Sequence, residues 1–179
     1  MIPLDRLGDY TDGIERINIE LSLKNKLRLA FDLEQFLASP LFNHAWPPDS
    51  DTRPPQEIVD AKAEEARALV TGVRELWQDW LDRLDTTFPA LQDHSLVASW
   101  KTQLQAPLAE IFSGLAFVPV MKHVNDIHAR VLRSRVFVAL HMHAGDGNVH
   151  TNIPVNSDDY GLPTAGARWW WSPRVRVRI

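Results

Sequence analysis

The sequence contains no cysteine. That excludes disulfide staples, thiol catalysis, thiolate zinc sites and any iron–sulfur cluster held by this chain. No uninterrupted apolar run reaches about 18 residues, so no segment reads as a membrane span. The N-terminus carries Asp5 and Asp9 where a secretory signal needs basic residues followed by an apolar stretch. A basic excess is also missing, and the formal charge of −4 argues against a nucleic-acid partner. Glycine is sparse, at 8 of 179 residues. What remains is ordinary globular composition, 45% hydrophobic and 23% charged, enough for one domain with its own core. A soluble protein of a reducing, intracellular compartment is the expectation.

Charge is unevenly spread. Residues 161–179 hold Arg168, Arg174, Arg176 and Arg178 and no acid, which leaves the first 160 residues at a net −8. The same stretch carries Trp169, Trp170 and Trp171, then an Arg/Val alternation to Ile179. Such a switch marks an appended interaction tail or a segment foreign to the domain.

Ile14 to Leu21 alternates, with Ile17, Ile19 and Leu21 against Arg16, Asn18 and Glu20. This predicts a half-buried strand, preceded by an Asp12-Gly13 turn and followed by Ser22 as a helix cap. A helix is expected over about 23–38, closed by Ser39-Pro40. Five prolines in residues 40–56 predict a loop. A long helix should run from about Gln56 to Asp85, with Leu69, Val73, Leu76, Trp80 and Leu84 as its apolar stripe and Trp77 and Trp80 in the core. Phe88-Pro89 is expected to break the chain, and Ser95 to cap a third helix that Pro107 and Gly114 limit or split. A fourth helix should span Pro119 to Leu132, burying Val120, Val124, Ile127 and Val131. This order predicts an α+β fold: a small antiparallel sheet with helices packed on one face and a helical insertion over about 40–132.

Chemistry is concentrated in residues 136–155, where two β-rich runs flank Gly145-Asp146-Gly147-Asn148. Asp-Gly in a two-residue connection is a strong hairpin signal, because both central residues take positive φ. A turn centred on Asp146-Gly147 pairs His143 with His150 and His141 with Asn152. Val138, Leu140, Met142 and Ala144 then fall opposite Val155, Ile153, Thr151 and Val149 on an apolar face. Directly paired imidazoles with Cβ atoms about 4.5–5.5 Å apart can chelate one cation, polarise a bound oxyanion or carry protons. A strand histidine can equally be a half-exposed residue bonded to backbone or water.

The octapeptide His143-Ala-Gly-Asp-Gly-Asn-Val-His150 resembles the H-x-G-D-G-N-x-H signature in the C-terminal cap domain of FAD-linked oxidases and dehydrogenases. That family includes glycolate oxidase, D-lactate dehydrogenase and D-2-hydroxyglutarate dehydrogenase. Gly8 to Leu21 and Ser99-Trp-Lys-Thr102 are similar to a bacterial subgroup of large FAD- and iron–sulfur-containing oxidoreductases, and the resemblance stops near Tyr160. It implies a truncated ferredoxin-like cap domain over 1–160 and an atypical, frameshift-like tail over 161–179. It implies that His143 and His150 bind a divalent cation such as zinc or manganese and take part in catalysis. Asn152 would hold substrate, and Asn148 and Gly147 would lie beside the flavin. The implied activity is oxidation of a small 2-hydroxy acid in the cytoplasm, with peripheral contact to the inner membrane only through the electron acceptor. FAD would be held mainly by a domain or subunit that this chain lacks, and an iron–sulfur cluster by a separate region of the full-length family protein.

Three departures stand beside the resemblance. Nothing in Met1–Asp9 replaces the family's FAD domain. The Glu-His-Gly segment that supplies a third, carboxylate ligand is replaced by Gly161 to Trp171. A lysine found on the first strand of some members meets only Arg16 or Asn18. The expectation is the middle of a cap domain cut at both ends. The alternative is a non-enzymatic α+β module whose histidine face binds a metal or a partner.

Overall fold

A computed structural model describes residues 4–46, 53–143 and 148–153. Six α-helices and a two-stranded hairpin make up the described fold. They are α1 (Leu7–Ala38), α2 (Pro40–Asn43), α3 (Gln56–Asp82), α4 (Leu84–Gln92), α5 (Ala106–Ile111) and α6 (Val118–Arg133), followed by β1 (Ala139–His143) and β2 (Asn148–Asn152). The fold is mostly helical, and the expected α+β architecture, a ferredoxin-like sheet carrying helices on one face, is overturned. Strand pairing among the described residues is confined to β1 and β2. The Asp146-Gly147 turn and the 161–179 tail lie outside the described residues.

The expected strand at 14–21 is instead part of the 32-residue α1. Its apolar residues satisfy both periods: Ile17, Ile19 and Leu21 alternate, while Ile14, Ile17 and Leu21 recur at three and four. Helix propagation breaks the tie, because each residue added to an existing helix gains a hydrogen bond without a new nucleus. Ile14 and Leu21 are buried on the same stripe that continues through Leu29, Leu33, Phe36 and Leu37. Gly13 is therefore a helical residue rather than a turn. Ser22 is no cap either, since its hydroxyl accepts from Lys26 Nζ at 2.6 Å.

Ser39-Pro40 ends α1 as expected, but the proline-rich stretch is not wholly a loop. Pro40 occupies the first turn of α2, where its missing N–H costs nothing. Phe42 and Trp46 then turn inward and are buried. Rings of Phe36, Phe42, Trp46, Phe112 and Phe117 form a chain of tilted and edge-to-face contacts with centroids 5.6–5.9 Å apart. Such pairs each add about 0.5–1.5 kcal/mol beyond their burial. The Trp46 indole N–H is satisfied by the Ala116 carbonyl at 2.6 Å.

Helix α3 starts at Gln56 as the periodicity predicts, but it is rotated about its axis relative to the expected stripe. Its buried residues are Val59, Ala63, Ala66, Val70, Trp77 and Trp80, while Leu76 is exposed. Ala63 and Ala66 are buried on this face together with Trp77 and Trp80, so it follows small side chains as well as large ones. Trp77 and Trp80 are core residues as expected. Pro89 does not break the chain: it sits inside α4.

Ser99, not Ser95, caps the next helix. Its Oγ accepts the Thr102 N–H at 3.2 Å, and its own N–H donates to Gln103 Oε1 at 2.7 Å. Residues Lys101–Gln105 form a wide π-helical turn directly before Pro107. A standard turn would drive the proline ring toward the carbonyl four residues back, and the wider turn relieves that clash. Gly114, at φ +94°, reverses the chain into α6. Val120, Val124, Ile127 and Val131 are the buried row of α6, as the spacing predicts. No single helix among the described residues is long and apolar enough to cross a membrane.

Candidate functional site

The hairpin follows α6 through residues 134–138, which two asparagines of α1 hold against the bundle. Asn18 Nδ2 donates to the Val138 carbonyl at 2.8 Å, and Asn18 Oδ1 accepts the Val138 N–H at 2.7 Å. One turn pair further along α1, Asn25 Nδ2 donates to the Val136 carbonyl at 3.3 Å. A bare two-stranded hairpin is marginal in water, so this tether helps to fix its base. Sequence reasoning missed both asparagines. The available signal was a pair of polar residues seven apart, set into the apolar side of a helical pattern.

The ladder pairs Ala139 with Asn152, Leu140 with Thr151, His141 with His150, Met142 with Val149 and His143 with Asn148. Expected and observed registers differ by two residues: His150 faces His141 across the strands, and His143 faces Asn148. The paired positions are centred between residues 145 and 146, one position before the Asp146-Gly147 centre that the turn signal predicts. A shift of two preserves strand parity. Positions 139, 141, 143, 148, 150 and 152 therefore remain on one face of the ladder, as expected.

Among the predicted site residues, His150 and Asn152 are exposed on β2, as is His141 on β1. His143 and Asn148 form the closing register pair of the ladder, and Gly147 lies outside the described residues. His143 and His150, expected to face each other directly, are diagonal neighbours, a relationship that separates Cα atoms by about 7–8 Å. Arg16 and Asn18, the two residues nearest the expected lysine position, both have packing roles. Arg16 pairs with Asp85 and lies over the Phe88 ring at 5.6 Å, and Asn18 clamps Val138.

Histidines on one ladder face suit a divalent transition metal, although no group of three or more His, Cys, Asp or Glu side chains among the described residues could enclose one. A cation held here would keep open positions for water or a ligand oxygen. Flavin is different. Tight FAD binding needs glycine-lined backbone donors around the pyrophosphate. Gly8, Gly13 and Gly72 lie within helices, and a Cβ added at any of them, or at Gly114, would meet no atom within 4 Å. None of these glycines opens a cradle, so the described residues do not fit FAD.

No family model, curated protein or solved structure matches this chain.

Proposed function

We propose that this chain supplies the substrate- and metal-contacting part of a flavin (FAD)-dependent oxidoreductase that oxidises a small 2-hydroxy acid such as D-lactate, glycolate or D-2-hydroxyglutarate. The observation that carries the reading is the octapeptide His143–His150, whose last residue stands exposed on a hairpin beside Asn152. In this reading His143 and His150 serve as cation ligands, a nearby histidine accepts the hydroxyl proton, and Asn152 donates to the substrate. A cation here would polarise the substrate hydroxyl and favour loss of its proton. FAD is held by another domain or subunit, with Asn148 and Gly147 at the shared boundary. The protein works in the cytoplasm and reaches the inner membrane only through its electron acceptor.

The test is reconstitution. The purified chain, incubated with FAD and freed of unbound cofactor, should show no flavin band near 450 nm and no turnover of the three acids. Adding a separately produced FAD domain of a 2-hydroxy acid dehydrogenase should give turnover that depends on this chain and is lost with His150→Ala. Turnover that is the same with and without the chain overturns the reading.

A further inference from the structure

We propose that Lys26 is a carbonyl-condensing amine which, with the Ser22 hydroxyl, captures small neutral aldehydes as an imine from the groove along α1. This inference rests on the packing of α1 and stands whether or not the oxidoreductase reading does.

Thr11, Glu15, Asn18 and Ser22 recur at helical spacing along α1 and form one polar stripe. With Ile14 and Ile19 beside them they line a groove of about 460 Å³, within the range of small-molecule sites. The other neutral polar groups of this wall are already engaged. Thr11 Oγ1 donates to the Leu7 carbonyl at 2.9 Å, and the Asn18 amide holds Val138. Ser22 Oγ accepts from Lys26 Nζ at 2.6 Å, and its own proton has no acceptor among the described residues. That proton is available to a carbonyl oxygen in the groove, which brings the carbonyl carbon beside the amine.

Lys26 differs from the other lysines. Lys24 pairs with Glu20 at 2.7 Å and Lys122 with Asp126 at 3.5 Å, Lys62 donates to the Ile111 carbonyl, and Lys101 is exposed. Lys26 is part-buried, and its hydrogen bond goes to a neutral hydroxyl rather than a carboxylate. Burial pushes its ammonium below the ordinary lysine value of 10.5. More of it is then neutral near pH 7, and the neutral amine is the form that attacks carbonyl carbon. The Nζ lone pair forms the new C–N bond and the carbonyl oxygen takes the Ser22 proton, which an amine hydrogen replaces. The second amine hydrogen leaves with that oxygen as water, giving the imine, so no oxidant or reductant is consumed. The lining selects the carbonyl compound. Glu15, whose Oε2 accepts from Gln92 Nε2 at 2.8 Å, keeps a carboxylate in the groove and disfavours anions such as 2-oxo acids. Ile14 and Ile19 favour a short apolar chain.

The test is trapping on the full chain with propionaldehyde and sodium cyanoborohydride at pH 7.5, the initial rate at each lysine being read by peptide mass mapping. Lys26 should be alkylated faster than Lys101 by about threefold or more, the factor one ordinary hydrogen bond supplies, and no faster in denaturant. Ser22→Ala should remove that preference and leave the Lys101 rate unchanged, and Ser22→Thr, which keeps the hydroxyl, should restore it. Glyoxylate, an anionic aldehyde, should show a smaller preference for Lys26 over Lys101 than propionaldehyde does. Helical circular dichroism establishes that each variant remains folded, and Lys101 is the internal standard in every sample. Lys26 trapped no faster than Lys101 would overturn the proposal, as would an undiminished preference in Ser22→Ala. An equal preference with glyoxylate would overturn the assignment to neutral aldehydes. None of these readouts involves flavin or 2-hydroxy acid turnover, so failure here is distinguishable from failure of the reconstitution.

Discussion

The side-chain amide of Asn18 forms with Val138 the two hydrogen bonds that a neighbouring strand would form, donating at 2.8 Å and accepting at 2.7 Å. A helix thereby satisfies the backbone of an extended segment one residue before β1 begins. Backbone groups in such a part-buried position need partners, and no strand among the described residues flanks this segment. Asn18→Leu, similar in size and without polar atoms, should leave the helical signal intact and destabilise the docked hairpin by about 1–3 kcal/mol. Amide hydrogen exchange reads this directly: Val138 and the β1 amides should lose protection while α3 and α6 keep theirs. Unchanged protection at Val138 would show that the tether does not anchor the hairpin.

Capping separates two serines that look alike in sequence. Ser99 accepts the Thr102 N–H, and the Gln103 oxygen that receives the Ser99 N–H also receives the Trp77 indole N–H at 3.0 Å. The cap is therefore tied to the core of α3. Ser99→Ala should cost about 0.5–2 kcal/mol in chemical denaturation. Ser95 is exposed, its hydroxyl reaching the Ala90 carbonyl at 3.3 Å and the Asp93 carboxylate, and Ser95→Ala should stay within about 0.5 kcal/mol of wild type. Equal losses would remove the distinction.

His128 stacks on Trp100 with centroids 4.5 Å apart and planes 8° from parallel. Burial against the ring holds its pKa below the usual histidine value of 6.5. Because the folded value is the lower one, the unfolded chain takes up the proton first. This contribution to stability is present above pH 6.5 and is lost as pH falls through the folded value. His128→Phe keeps a ring on Trp100 and removes the titration. The stability difference between pH 7.5 and pH 5.5 should therefore be smaller in the variant, measured as the shift in denaturation midpoint. An identical pH dependence would show that His128 does not contribute to it.

Much of the helical layout was legible because one period dominated. On α6, Val120, Val124, Ile127 and Val131 fit only a helix, and all four are buried. The start of α3 at Gln56 and the end of α1 before Ser39-Pro40 follow from proline, whose effects are local. Residues 14–21 were not legible, since Ile17 and Leu21 belong to both a period of two and a period near 3.6. The face of α3 was misjudged for a related reason: Ala63 and Ala66 carry little hydrophobic weight in a pattern, yet both are buried on the observed face. Pro89 inside α4 shows the reverse case, a strong local signal overridden by the packing of Leu84 and Leu91.

The sequence by itself determined which residues share the histidine face, because alternation along a strand fixes parity whatever the partner. It also determined that the hairpin lies between residues 136 and 155, since β-rich runs flank a glycine-rich connection. Only the tertiary structure decided which histidines meet. The register depends on where the connection is centred, and a centre one residue earlier than Asp146-Gly147 brings His141 rather than His143 opposite His150. The anchoring of that hairpin was likewise a tertiary matter. Asn18 and Val138 lie 120 residues apart, and no local rule relates a helix side chain to a strand it meets only after the bundle has assembled.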